Sequence, residues 1–299
     1  MLKLAIPEAS IFVVLFFYLL RVPMTPILKH LLWTVICVSP LFFLSCNQKR
    51  ENQQTTKKFT WPDNKKAAIC LTYDDGMQTH LDHAIPQLDS FSLPGTFYLN
   101  AVQARDMVVG WKNVATSGNH ELANHTLFHP CPADMGWKKE VATDFYTKEK
   151  ILTEIAGMNT LLTAIEGVDR KRSFAFPCNN TTVGGESYLE DLEKSGLISF
   201  ARGGGDNTSI ITNVANLDPF HVPSWPVPEG SNGATLITHG EKILASEGFG
   251  IYQFHGIGGQ WISISDAAHI SFLTWLKANE DQIWVGTFSE IMTYIQQFK

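Results

Sequence analysis

The sequence has little positive charge for its size, no apolar run long enough to span a bilayer, and too few cysteines for a crosslinked scaffold, and each shortage removes a class of protein. Lys and Arg number 23 against 29 Asp and Glu in 299 residues. Residues 1–46 hold three of the basic side chains (Lys3, Arg21, Lys29) and one of the acidic (Glu8), so the rest carries 20 basic against 28 acidic, a net of −8. Nucleic acid is thereby excluded as a main ligand, because phosphate binding draws on clustered Lys and Arg. A neutral or cationic substrate fits better. The two most apolar stretches, residues 10–20 and 31–45, are each shorter than the ~20 residues a helix needs to cross a bilayer. Of the five cysteines, Cys37 and Cys46 fall in the first 46 residues, leaving Cys70, Cys131 and Cys178. Three thiols cannot all pair, and no disulfide framework follows from sequence alone. Also missing are a repeat of fixed period and a second-domain linker. The three glycines Gly203, Gly204 and Gly205 lack the following helix and lysine of a phosphate-binding loop.

What is present is globular: hydrophobic residues make up 44% and charged residues 17%, unlike the polar, highly charged composition of disordered chains. Residues 1–46 read as a leader and 47–60 as a polar tether (Asn47–Lys58 lacks any apolar periodicity), leaving 61–299 as one globular domain. The second apolar run follows Lys29 and His30 and ends in Phe43-Leu44-Ser45-Cys46, close to the lipobox of bacterial lipoprotein signals, with Phe in place of the usual Leu at position −3. Met24 is a reasonable start for such a signal. The expectation is therefore an exported envelope protein tethered to a membrane through a lipid on Cys46, with an uncleaved anchor and a soluble secreted product as the alternatives.

From Ala67 short β-like runs alternate with helix-period stretches. Strand candidates are Ala68–Tyr73, Gly95–Leu99, Glu121–Asn124, Ser173–Phe176, Ile198–Ala201, Gly250–Phe254 and Ile283–Thr287. Helical stripes are clearest at Ile151, Ile155, Met158 and Leu162, at Phe272, Leu273 and Leu276, and at Phe288, Ile291, Met292 and Ile295. This alternation predicts an α/β fold with a mainly parallel sheet, favouring an irregular or incomplete α/β barrel over an open doubly wound sheet. Cys70, inside an apolar run, is most simply a core residue.

Polar residues with chemical capacity stand where strand candidates end. Thr72-Tyr73-Asp74-Asp75-Gly76 closes the first run with two adjacent carboxylates, which point in different directions as the chain leaves extended geometry. An isolated Asp-Asp-Gly is most simply a turn. Further on, His125-Thr126-Leu127-Phe128-His129-Pro130 holds two imidazoles spaced i, i+4, which on a helical turn share one face and can share a metal. Ile251-Tyr252-Gln253-Phe254-His255-Gly256 delivers another histidine at a strand end.

Together these segments resemble the polysaccharide deacetylase family, also called the NodB homology domain or carbohydrate esterase family 4, whose first motif reads T-F-D-D-G and second H-S/T-x-x-H. The resemblance runs from about Ala67 to Ile295. It implies a deformed, seven-stranded (β/α) barrel, Asp75, His125 and His129 as metal ligands, Asp74 as general base and His255 as general acid. The metal implied is a divalent ion, zinc by preference, with cobalt, nickel and manganese compatible with mixed nitrogen and oxygen ligands.

Two departures stand out. The family's third motif carries an Arg shortly before a Pro, to orient the base, whereas here the segment is Phe174-Ala175-Phe176-Pro177-Cys178-Asn179. Arg202, at the end of the next strand, is the candidate substitute. The acid-tuning Asp of the fourth motif has no clear counterpart, Asp206 being the nearest. Trp225 and Trp261 lie in proline- or glycine-flanked stretches where a sugar-stacking platform is an option, although tryptophan is more often buried, and Cys131 and Cys178 each follow a site motif, which leaves pairing open. The implied reaction is removal of an acetyl group from an acetylated poly- or oligosaccharide. A carbohydrate-binding protein without catalysis would be expected to lack one of the five motif residues, and a structural lipoprotein needs none of them. Hydrolysis of a non-sugar amide is the remaining alternative.

Overall fold

The computed structural model describes residues 59–299; the leader, Cys46 and most of the tether lie outside the described residues. Seven principal strands are present: β1 (Ala67–Asp75), β2 (Thr96–Leu99), β3 (Glu121–Asn124), β4 (Arg172–Ala175), β5 (Ile198–Arg202), β6 (Phe249–Phe254) and β7 (Ile283–Val285). Each covers or overlaps one of the seven expected runs. They form a curled half-barrel in the order β5-β4-β3-β2-β1-β6, with all principal pairings parallel. Strands one to five are neighbours in chain order without the reversal of a doubly wound sheet, and β6 returns beside β1. β7 runs along Ala67–Ile69 of β1 while β2 runs along Thr72–Asp75. One edge of the central strand therefore serves two partners in succession.

The expectation had no element between β5 and β6. There the segment 219–227 runs between them without a helix: Val222 N donates to Ala201 O (2.9 Å) and Val227 N to Gln253 O (2.9 Å). The two-residue strand Trp225–Pro226 pairs with β6. Four prolines between 219 and 228 deny this stretch a regular ladder.

Helices α1 (Ile85–Phe91), α2 (Val108–Ser117), α3 (Lys148–Glu166), α4 (Leu189–Ser195), α5 (Gly233–Ala245), α6 (Asp266–Ala278) and α7 (Phe288–Gln296) cover the sheet. Side-chain oxygens of Thr147, Asn232, Ser265 and Thr287 cap the four longest or last of these, and Thr287 with Glu290 makes a reciprocal capping box. No helix among the described residues is long and apolar enough to cross a membrane.

Strand alternation divides the core. Ala67, Ile69, Leu71 and Tyr73 of β1 pack with the covering helices, whereas Ala68 and Cys70 face a second cluster that Phe288, Ile291, Met292 and Ile295 of α7 fill from one end. All nine residues of β1 are buried, as expected of a parallel strand covered on both faces. Because side chains alternate with period two, Asp74 shares the inward face of Ala68 and Cys70. Its position follows from β1 being straight up to that point.

Candidate active site

Asp74 and Asp75 end β1, and the backbone turns at Asp75 (φ 78) and Gly76 (φ 65). A Cβ at Gly76 would approach Leu99 Cδ2 to 2.8 Å, so glycine is needed for both conformation and space. The turn sends the two carboxylates to different partners. Asp74 receives Arg202 Nη2 (2.6 Å) and Gln253 Nε2 (3.0 Å) on Oδ2, while its buried Oδ1 has no partner. Burial alone would raise the Asp74 pKa, but the Arg202 guanidinium, aided by His125, His255 and the Arg202 hydrogen bond, outweighs it and holds the group down to about 2. Asp74 is an ionised carboxylate with one oxygen clamped and the other free.

Asp75 Oδ1 lies 3.2 Å from His129 Nε2 and 3.7 Å from His125 Nε2. Asn100 Nδ2 donates to the same oxygen (3.3 Å), and Trp261 Nε1 donates to Oδ2 (3.0 Å). The Nδ1 of His125 bonds to Ala175 O (2.8 Å), which leaves its Nε2 aimed at Asp75. Burial lowers the His125 pKa to about 4, keeping the imidazole neutral, the form that binds metals. One atom from each of Asp75, His125 and His129 falls within 4.8 Å of the others. This donor set, one carboxylate and two imidazoles, that of His125 oriented by a backbone carbonyl, fits a divalent cation.

The two histidines do not share a helical turn, as their spacing suggested. Residues 125–129 form an irregular loop in which Thr126 (φ 64) and His129 (φ 51) are left-handed. Asn124 Oδ1 accepts from Thr126 N (2.8 Å), and Thr126 Oγ1 accepts from His129 N (3.0 Å). These side-chain bonds close the loop in place of a helical ladder and bring the imidazole centroids to 4.7 Å. The chain beyond is joined to the loop after β4 by a Cys131–Cys178 disulfide, while Cys70 is a free, buried core thiol.

Arg202, fully buried at the end of β5, stacks over Tyr98 with its guanidinium carbon 4.9 Å from the ring centroid and reaches Asp74. Arg202 thus contacts the carboxylate for which the sequence offered it as a partner. Gln253, two residues before His255, went unnoticed in the sequence, yet it bridges Asp74 to Ser224, whose hydroxyl lies 3.2 Å from its Oε1. His80 is another such residue: Met77 N donates to its Nδ1 (3.2 Å), so its Nε2 carries the proton shared with His255 O (2.9 Å). The only sequence signal available for Gln253 was its parity with His255 on one strand.

Two of the options the sequence left open are not realised. Asp206 is exposed, and its Oδ1 accepts from Thr208 N and Oγ1 in a local turn, with no bond to His255. Trp225 is 5% exposed and packs on His239 and Tyr252, so it is a core residue and no platform. Trp261 differs: it is 41% exposed and borders a cavity of about 740 Å³ that also meets Asp74, Asp75, His125, His129 and His255. The Nδ1 of His255 is buried without a partner.

Residues 62–194 match the family model described as polysaccharide deacetylase. A gellan lyase from a Bacillus species is 26% identical over 259 residues, covering 79% of this chain but 10% of that protein; the chain therefore spans about a tenth of the length of the curated relative it matches. Among solved structures, a Mycobacterium smegmatis protein assigned as a polysaccharide deacetylase is similar with a TM-score of 0.55 and 17% identity, over 80% of this chain and 93% of that one. A mutant of the peptidoglycan deacetylase PdaC from Bacillus subtilis gives 0.51 and 14%, over 78% and 93%. Identities so low speak to the fold alone. The family match, however, spans the strand and loops that carry both aspartates and both loop histidines, and over residues 62–194 the chain carries a region similar to the polysaccharide deacetylase family.

Proposed function

We propose that this protein is a metal-dependent hydrolase that removes acetyl groups from a carbohydrate. The observation that carries the reading is the pair of neighbouring carboxylates with opposite surroundings: Asp75 grouped with two imidazoles, Asp74 clamped on one oxygen and unpartnered on the other. Asp75, His125 and His129 would hold a divalent ion. When bound, such an ion supplies Lewis-acid polarisation of the acetyl carbonyl and makes water more acidic. Zinc suits the two nitrogens and one oxygen, and cobalt, nickel or manganese are compatible.

The chain's own groups do the rest. Asp74 accepts the proton of the attacking water on Oδ1, the oxygen that no protein group occupies. Arg202 and Gln253, both on Oδ2, hold the carboxylate so that Oδ1 keeps its direction. His255, on the cavity wall, donates a proton to the departing amine or alcohol as the tetrahedral intermediate collapses. The test is a parallel measurement of bound metal and acetate release. Chelation should abolish release from an acetylated glycan panel and a divalent ion should restore it; full activity in metal-free protein would refute the proposal.

Export and anchoring through a lipid on Cys46 are proposed on the sequence pattern of residues 24–46. Cys46→Ala should then move the protein from the detergent phase to the aqueous phase or leave it unprocessed. Normal processing with unchanged partitioning would remove the anchor.

A further inference from the structure

The loop after β6 leaves His255 and returns through an isolated bridge between Ile257 and Ile264. At its tip Gln260 (φ 64) and Ile262 (φ 46) are both left-handed and flank Trp261. Such a conformation is a steric outlier for a β-branched residue, held only where the surroundings over-determine it. Two bonds do so here. Gln260 Oε1 accepts from Thr79 N (2.9 Å), tying the tip to the turn that follows Gly76, and Trp261 Nε1 donates to Asp75 Oδ2 (3.0 Å). The strained loop therefore ends on the carboxylate grouped with the two histidines.

The same indole faces the cavity. Nine large hydrophobic side chains are exposed among the described residues, and five of them (Val102, Phe128, Met135, Trp261 and Ile262) line this cavity. No lysine or arginine lines it, although surface cations are plentiful elsewhere. A wall without lysine or arginine that also carries Asp74 and Asp75 offers an anionic glycan no side-chain counter-ion beyond the proposed metal itself, and its exposed hydrophobic residues favour a substrate that presents an uncharged, apolar face.

We infer that Trp261 acts twice: its N–H positions Asp75 so that Oδ1 faces His125 and His129, and its ring selects a neutral glycan by lying against the CH face of a sugar ring. The inference rests on the reading of Asp75 as a metal ligand. It makes Trp261 a positioning residue for the metal centre and a specificity-determining residue for the substrate. The two jobs are separable, because phenylalanine keeps a ring and loses the donor, whereas leucine loses both.

The experiment is calorimetric titration of wild type, Trp261→Phe and Trp261→Leu, first with zinc and then, zinc-loaded, with a neutral N-acetylglucosamine oligomer and with a carboxylate-bearing acetylated glycan. Thermal unfolding is followed alongside. Zinc affinity should fall by about 10–100-fold in both variants, the usual effect of losing an outer partner of a ligand. Affinity for the neutral oligomer should stay within about twofold of wild type in Trp261→Phe and fall roughly tenfold in Trp261→Leu, the scale of one lost aromatic contact. The carboxylated glycan should bind wild type more weakly than the neutral one. Unchanged zinc affinity in both variants would overturn the positioning role. A wild type that fails to bind the neutral oligomer, or prefers the anionic one, or a Trp261→Leu variant that binds it as well as wild type, would overturn the selective role. A wild type that takes up no zinc refutes the metal-site reading itself, which separates that failure from the other two.

Discussion

Two buried carboxylates stand at opposite ends of the half-barrel, and they are wired differently. Glu121, at the start of β3, is 4% exposed and has both oxygens taken: Ser173 Oγ donates to Oε1 (2.6 Å), and Thr96 Oγ1 and Ser289 N donate to Oε2 (both 3.0 Å). Ser289 belongs to the first turn of α7, so the carboxylate also meets the positive end of a helix. Asp74, at the end of β1, is 1% exposed and keeps one oxygen without a partner. A native fold rarely leaves a buried acceptor unpaired without a functional cause. Under the proposed function, the difference is that burial does not separate a structural acid from a reactive one, whereas the completeness of its hydrogen bonding does.

The sharpest way to break that comparison is Asp74→Asn against Glu121→Gln. Asp74→Asn should lower turnover per folded molecule by roughly 10²–10⁴-fold, the worth of a positioned base, with metal content near wild type and a loss of stability, since buried Arg202 loses its counter-ion. Asp75→Asn should lose metal and turnover together, and the reverse pattern in the two aspartates would exchange their roles. Arg202→Met tests the clamp. It leaves a buried carboxylate without its cation and should destabilise the fold by about 3–5 kcal/mol, read by denaturant unfolding, with a drop in turnover per folded molecule.

Smaller effects sharpen the contrast. The Cys131–Cys178 bond closes a loop across 47 positions, and replacing both residues by serine should cost about 2–4 kcal/mol. Glu121→Gln should cost about 1–3 kcal/mol through mismatched buried donors, while metal uptake and turnover per folded molecule stay unchanged. A loss of turnover there without a loss of stability would erase the distinction between the two ends.

The pH dependence of stability follows from histidines buried as neutral rings. Burial lowers His80 to about 4 and His269 to about 3, against about 6.5 in an unfolded chain. Between those values the unfolded chain binds the extra proton, so stability should be level above pH 7 and fall as pH drops from about 6.5 toward 4. Each ring should contribute on the order of 1 kcal/mol between pH 7 and 5. Thermal midpoints of metal-free protein across that range provide the check, and a flat profile would contradict the neutral assignment.

Much of the frame was legible because short-range physics writes it. Five of the seven principal strands carry an apolar run bounded by polar or glycine-rich turns, β3 and β4 being half polar, and the three helical stripes all fall on buried faces. The segment 219–227 escaped notice because prolines removed the alternation that marks a strand. The histidine loop was misread as helical because i, i+4 spacing carries no record of Thr126 and His129 being left-handed. The disulfide stayed an option because three thiols admit more than one pairing.

By itself, then, the sequence determined which residue types end which strands: two acids after β1, imidazoles after β3 and β6, an arginine after β5. Those assignments are local, since strand period and turn chemistry depend on neighbours a few residues away. Only the tertiary structure decided what each group faces. Arg202 and Gln253 meet Asp74 across 128 and 179 positions of sequence, and Trp261 meets Asp75 across 186. Such contacts are set by the order in which parallel strands curl around a common axis, and no local pattern encodes that distance.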